Sequence, residues 1–298
     1  MKKNRPAVLF IAPTRIGDAV LSTSMLQEVM QRFPDACIDI VAGNLVAPLF
    51  ERVPNVRHLH RIDKRKFSLH WLRIWRCCVT KRYACVIDMR GSGLAFTLRT
   101  QQRLIFRGSQ KDISKHQQFS EFLGIDSAPM PTLWTHSSDE NFAHRFCNNA
   151  LIFAFAPIAN WPPKEWPLDS FIALASALLT KHPNHRPMLI CAAHERERMQ
   201  PMIDALAAHQ PLLLCDGSAS LRQVYACLKR AKLFIGNDSG LMHMAAAASI
   251  PTLGLFGPTP IKTYRPAGIH AHAMNAETNK LEDLPVETVL ARAEALLL

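Results

Sequence analysis

Hydrophobic and polar positions alternate in blocks along this 298-residue chain. Near-continuous apolar runs of three to seven residues are separated by longer stretches with helical periodicity. The pattern predicts strands at 7–12, 37–42, 56–62, 85–89 and 104–107. Helices are predicted at 19–33, 68–80, 94–103 and 116–123, and a polar, proline-bearing stretch at 127–139 closes this half. The pattern then restarts, with strands at 152–158, 188–192, 212–215, 233–235 and 252–256. Helices at 168–181, 196–209 and 221–231 lie between them, followed by the small-residue helix after 240. Residues 287–298 form a last helix, placed to pack back on the N-terminal half. Apolar strands separated by helices imply parallel sheets covered on both faces. The fold class is therefore α/β, with two Rossmann-like domains at 1–145 and 146–298. Ligands are expected where strand C-termini face the cleft between them.

The segment KLFIGNDSGLMHMAAAASIPTLGLFGPTP (232–260) reads as a buried strand, a sharp turn at 236–240, a helix and a second buried strand. The turn delivers Asp238, Ser239 and Gly240 to a helix start, where the first amides lack intrahelical partners and the macrodipole is positive. A phosphate suits that position. An Asp/Ser N-cap on an ordinary helix is the competing interpretation. His243 lies about one turn further on, either as a core histidine or facing the same ligand.

Other candidates also fall at strand ends. PTRIGDAV places Asp18 after the first strand, as an N-cap or as a carboxylate able to take a proton from a hydroxyl. There is no G-x-G-x-x-G fingerprint after that strand. The GSG at Gly91 to Gly93 lacks the third glycine but offers a backbone anion nest. In NWPPKEWPLDSF three prolines stiffen a loop holding Lys164, either an exposed lysine or a point charge for a phosphate. In AAHERER, Glu195 and Glu197 are both placed to bond sugar hydroxyls or to favour a helix N-terminus.

Composition narrows the choices. Hydrophobic residues make up 48% and charged residues 20%, as in a folded globular chain. The basic start followed by 7–12 is too short for a signal peptide, and no apolar run spans a membrane. Eight cysteines show no C-x-x-C or zinc spacing, which predicts reduced thiols, a cytoplasmic location and no metal site. Net charge is +11, with 22 Lys/Arg against 12 Asp/Glu in residues 1–145 and 13 against 12 in the remainder. The first half is therefore expected to meet something anionic: nucleic acid, an acidic membrane or a phosphorylated substrate. Zinc spacing, RNP-like strands and an evident helix-turn-helix are all missing, which argues against nucleic acid. In residues 58–82, Trp71 and Trp75 lie four apart among basic residues. They form either a core-facing stripe or a patch resting on an anionic inner leaflet.

Together, IGDAVLSTSMLQEVMQRFPDACIDIVA (16–42), YACVIDMRGSG (83–93), LIFRG (104–108), KEWP and GNDSGLMHMAAAASIPTLGLFGPTP (236–260) resemble the bacterial heptosyltransferases, the ADP-heptose:lipopolysaccharide glycosyltransferases of family 9 with the GT-B fold. The resemblance implies an inverting, metal-independent transfer from ADP-heptose to a lipopolysaccharide inner-core acceptor, or a related nucleotide sugar or later core acceptor. Asp18 matches the general base, and Lys164 the lysine on the donor diphosphate. Asp238, Ser239 and Gly240 match the phosphate-binding turn, and His243 the histidine after it. Glu195 matches an acidic donor-site residue, with Glu197 competing for that register. Arg15, Arg61, Lys64 and Arg90 are the basic residues assigned to an anionic acceptor of the Kdo-lipid A type, with peripheral contact to the inner membrane. The chain departs from the family at Ala159, Asn160 and Trp161, where some members carry hydroxyl and acidic residues.

Overall fold

A computed structural model describes residues 5–63, 69–108 and 111–298. Two compact units divide at Trp134 and Thr135. In the first, β1 (Ala7–Ile11), α1 (Ile16–Arg32), β2 (Cys37–Gly43), β3 (Val56–Ile62) and α2 (Leu69–Cys78) follow the predicted alternation. They are followed by β4 (Arg82–Asp88), β5 (Arg99–Ile105) and α3 (Lys115–Leu123). The sheet order is β3-β2-β1-β4-β5, with every pairing parallel. All five residues of β1 are buried, as its apolar run requires at the centre of a covered sheet.

The helix expected at 94–103 is not formed. Leu94–Thr97 makes a single 3-10 turn, and β5 starts at Arg99. Its sequence, RTQQRLI, is polar over its first five residues, and exposed and half-buried positions alternate along it, because β5 is an edge strand with β4 on one side only.

The second unit opens with α4 (Ser137–Cys147), which the sequence pattern left in the first half. This polar helix packs on α7 (Leu221–Leu228), and Asp139 bonds Arg222 at 3.0 Å. The other elements are β6 (Leu151–Ala156), α5 (Leu168–Lys181), β7 (His185–Ile190), α6 (Arg196–Ala205), β8 (Leu212–Leu214), β9 (Leu233–Asn237), α8 (Gly240–Ala247), β10 (Thr252–Phe256), α9 (Ile261–Tyr264), β11 (Ala271–Asn275) and α10 (Val286–Ala295). The all-parallel order is β11-β10-β9-β6-β7-β8. The last helix, α10, packs on α5, with Val289 and Ala293 in the core of its own unit.

The two sheets share one property that positions the site. Strand order reverses between β1 and β4 in the first sheet and between β6 and β9 in the second. At such switch points the loops leaving the two strands diverge to opposite faces and open a crevice beyond their C-terminal ends. Asp18 follows β1 and Arg90 follows β4, while Lys164 follows β6 and Asp238 follows β9.

Candidate functional site

In the second unit, β9 runs through Gly236 to Asn237, so the turn falls at Asp238 and Ser239 and not at the glycine. Gly236 is needed for packing: a Cβ there would lie 2.8 Å from the Phe234 ring and 3.0 Å from the Ala156 carbonyl. Asp238 is 6% exposed and accepts a 2.5 Å hydrogen bond from the Lys164 ammonium, which closes an ion pair across the switch point. Ser239 is the N-cap residue of α8, yet its side chain caps nothing. Its Oγ is buried and has no hydrogen-bond partner among the described residues. A hydroxyl left this way costs about 1–3 kcal/mol, which a bound acceptor group would recover. Gly240 is the first residue of α8, and His243 is buried within it.

The loop carrying Lys164 is fastened on several sides. Asn237, fully buried at the end of β9, donates from Nδ2 to the Pro157 carbonyl at 2.6 Å. Its Oδ1 accepts the Trp166 amide at 3.1 Å. The Trp166 indole donates to the Leu284 carbonyl at 3.0 Å. Glu165 accepts the Ala159 amide at 2.9 Å and pairs with Arg198 of α6. Gly257 presses on the same loop, since a Cβ there would sit 2.8 Å from the Pro163 carbonyl. Lys164 is therefore presented by a rigid frame, as a preorganised charge requires.

Glu195 ends a 3-10 turn after β7, and its carboxylate accepts the Ala192 amide at 2.9 Å. Glu197 is exposed in the first turn of α6. The Glu165–Arg198 pair links this end of β7 to the Lys164 loop.

In the first unit, the N-cap of α1 is Arg15, not Asp18, which sits in the first turn of the helix. Among the described residues the Asp18 carboxylate takes no hydrogen bond and no ion pair. It lines a hollow of about 590 Å³ together with Arg90, Arg107, Lys115, Phe106 and the backbone at Gly91. Three cationic side chains thus surround one carboxylate. The sequence reading found Arg90 but missed Arg107 and Lys115, although LIFRG carried the first of them. Arg15 is exposed at the start of α1, and Arg61 is ion-paired with Glu51 on the surface. Neither lines the hollow, and Lys64 lies outside the described residues.

The glycine nest expected at Gly91 to Gly93 is already filled. The buried Asp88 carboxylate accepts the amides of Arg90 and Gly91 at 2.9 Å and of Ser92 at 2.8 Å, and the Ser92 hydroxyl at 2.9 Å. The chain supplies its own anion there, leaving no place for a ligand phosphate.

A second buried carboxylate, Asp39 in β2, accepts two bonds from Arg57 (3.0 and 2.8 Å), one from Lys81 (2.8 Å) and one from Tyr83 (3.1 Å). His58 Nδ1 lies 3.0 Å away. Burial alone would raise its pKa, but the hydrogen bonds from Arg57, Lys81 and His58 outweigh this and hold the carboxyl far below the usual range. The same burial pushes the Tyr83 phenol up. Every oxygen of Asp39 is engaged, so it fastens β3 to β2 and carries no chemistry.

All eight cysteines are free thiols. Among the described residues no group of three His, Cys, Asp or Glu side chains is placed to hold a metal. None of their helices is long and apolar enough to cross a membrane.

Lipopolysaccharide heptosyltransferase 2 of Escherichia coli K12 is 25% identical over 293 residues, covering 85% of this chain and 83% of its own. The solved structure of E. coli ADP-heptose lps heptosyltransferase II superposes with a TM-score of 0.81 at 21% identity, covering 98% of each chain. E. coli heptosyltransferase WaaC with ADP superposes with a TM-score of 0.77 at 20% identity, over 97% of this chain and 99% of that one. These likenesses show that the two-sheet α/β architecture is the GT-B one. The model for glycosyltransferase family 9 (heptosyltransferase) matches residues 74–293. With both switch-point crevices inside an architecture shared over nearly the whole length, the chain belongs to glycosyltransferase family 9, and it is a glycosyltransferase.

Proposed function

We propose that this enzyme moves heptose from ADP-heptose to an anionic lipopolysaccharide core acceptor, with inversion and without a metal. One observation carries the reading: a rigidly framed ammonium, Lys164, is held at the N-terminus of α8, beside a buried N-cap hydroxyl that lacks a partner. A diphosphate suits that arrangement, taking the ammonium, the Ser239 hydroxyl and the first amides of α8. Asp238 and Glu195 are the acceptors for sugar or ribose hydroxyls, and His243 backs the helix turn. The names of the relatives support the donor, since one solved structure is described as carrying ADP.

The acceptor pole is the hollow at Asp18. Its ring of Arg90, Arg107 and Lys115 suits phosphates or carboxylates flanking the reacting hydroxyl. In the step itself, the acceptor oxygen forms a bond to the anomeric carbon as the bond from that carbon to the diphosphate oxygen breaks. The acceptor proton passes to Asp18, and the electron pair leaves on ADP. Charge grows on the departing diphosphate, where Lys164 and the α8 amides stabilise it. The reaction belongs on the cytoplasmic side, where nucleotide sugars are made, with the basic first unit turned to an anionic inner leaflet.

The departure at Ala159, Asn160 and Trp161 favours a second reading of the donor. Trp161 is 48% exposed three residues before Lys164, where a different sugar or nucleotide would meet a bulkier wall. A thermal-shift screen with ADP, UDP, GDP and CMP, each alone and as the sugar nucleotide, separates the two, because only a bound ligand raises the melting temperature. The mechanism is tested by Asp18→Asn. Turnover is expected to fall at least about a hundredfold with ADP-heptose affinity nearly unchanged, and near-normal turnover would rule out the base.

A further inference from the structure

Where β7 and β8 end, two cysteines face each other. The parallel register runs through Ile190 opposite Leu214, so the next residues, Cys191 and Cys215, are opposite as well. The Cys191 amide continues the ladder, donating to the Leu214 carbonyl at 3.2 Å. The Cys215 sulfur lies 3.2 Å from the Leu189 carbonyl, which turns its side chain towards β7, and the two thiols are in hydrogen-bond contact. Each is the last buried residue before an exposed loop: Cys191 is 9% exposed and Cys215 0%, while 192–194 and 216–218 are open to solvent. The two loops touch just beyond the sulfurs, because a Cβ on Gly217, at a φ of +74°, would lie 3.2 Å from the Ala193 Cβ. The turn that follows Cys191 carries Glu195. It is closed twice, by the Ala192 amide on the Glu195 carboxylate and by the Glu195 amide on the Ala192 carbonyl, each at 2.9 Å.

We propose that Cys191 and Cys215 are a reversible redox pair, closed to a disulfide by a hydroperoxide, and that closing it displaces the Glu195 turn. Neighbouring strands run about 4.8 Å apart, inside the roughly 4.4–6.8 Å allowed between the Cα atoms of a disulfide. Bridged Cβ atoms sit closer, at about 3.8 Å, so the bond draws the two strand ends together. With Ala193 already against the backbone at Gly217, that movement passes into 192–195. In the first step one sulfur, as a thiolate, attacks a peroxide oxygen. The O–O bond breaks, giving a sulfenic acid and a hydroxide that leaves as water with the proton of that thiol. The other sulfur, as a thiolate, then attacks the sulfenic sulfur. The S–O bond breaks, and the departing hydroxide takes the second thiol proton as water. Two thiols are oxidised to one disulfide while the peroxide is reduced to two waters, and a dithiol reductant reverses the change. The effect on transfer rests on the reading of Glu195 as a donor contact, whereas the cross-link does not.

The test uses the full-length protein treated with a slight excess of hydrogen peroxide, alkylated and mapped by mass spectrometry without reduction. The expected product is a cross-linked Cys191–Cys215 peptide that disappears with dithiothreitol. Amides 192 and 195 should exchange with deuterium faster in the oxidised protein. In transfer assays, KM for ADP-heptose is expected to rise about tenfold, as on losing one hydrogen bond to a charged group, and to recover on reduction. Cys191→Ala and Cys215→Ala, tested separately so that either can report if the other folds poorly, should abolish the response to peroxide. A second thiol pair, Cys147 of α4 with Cys227 of α7, is sealed at 1% and 0% exposure and serves as the internal control. Its cross-linking in parallel would mean opening of the whole unit and would overturn the proposal. Absence of the Cys191–Cys215 peptide would also overturn it, as would unchanged exchange at 192 and 195. Failure of transfer from ADP-heptose by the reduced enzyme would instead sink the donor reading, while peptide mapping and exchange would still report on the cysteines.

Discussion

Asp88 and Asp238 begin from nearly the same ingredients and end in opposite states. Each closes or follows a central, apolar parallel strand, and each is followed within four residues by serine and glycine. At Asp88 the chain folds back and gives the carboxylate three amides and a hydroxyl, so the turn is complete in itself. At Asp238 the carboxylate takes a lysine from another loop, and the neighbouring Ser239 hydroxyl is left unpaired. A saturated polar turn stabilises the fold, whereas an unsaturated one at a strand's C-terminal edge is where a ligand is expected.

Substitutions at the two turns should therefore separate rate from stability. Lys164→Ala is expected to have the largest effect, lowering turnover by about a hundredfold or more, equivalent to about 3 kcal/mol of transition-state stabilisation, and weakening ADP binding. Steady-state kinetics beside isothermal titration would check it, and equal activity would break the contrast. Asp88→Ala should do the reverse, costing about 2–3 kcal/mol of unfolding free energy with donor affinity unchanged, because three amides lose an ionised acceptor.

Asp39 offers an intermediate case. Asp39→Asn should cost about 2 kcal/mol, limited by the partial exposure of Arg57 and Lys81. Its native pKa is depressed, so its stabilisation is complete above about pH 4, the unfolded value, and is lost as pH falls through the native one. Denaturant titrations of wild type and variant should converge in strong acid and diverge towards neutrality. The smallest effect concerns caps. Ser220 accepts the Gln223 amide and truly caps α7, so Ser220→Ala should cost about 1 kcal/mol. Ser239→Ala should raise the ligand-free stability by about 1 kcal/mol, because the unpaired hydroxyl is removed, yet reduce the thermal shift given by ADP.

The sequence made the central strands legible, and with them the edge strands β3 and β8, but not the other two edges. β1, β6, β9 and β10 are buried on both faces, so their apolar runs admit one interpretation. β5 and β11 have a single neighbour and a mixed composition, and α4 is too polar to announce itself away from α7. The site divides in the same way. Asp18, Lys164 and Asp238 stand out because they follow strands that the pattern locates. Asn237, Glu165, Arg107 and Lys115 matter only through partners distant in sequence, such as Pro157, Arg198 and the hollow around Asp18. No local spacing encodes those meetings.

The close approach of Gly257 to the Pro163 carbonyl has a consequence for how this enzyme can change. A single methyl at position 257 would act as a wedge, displacing the diproline turn and the ammonium behind it. Tuning of the proposed donor pole can thus come from a residue at the end of β10, and Gly257→Ala is expected to detune turnover while leaving every charged group in place.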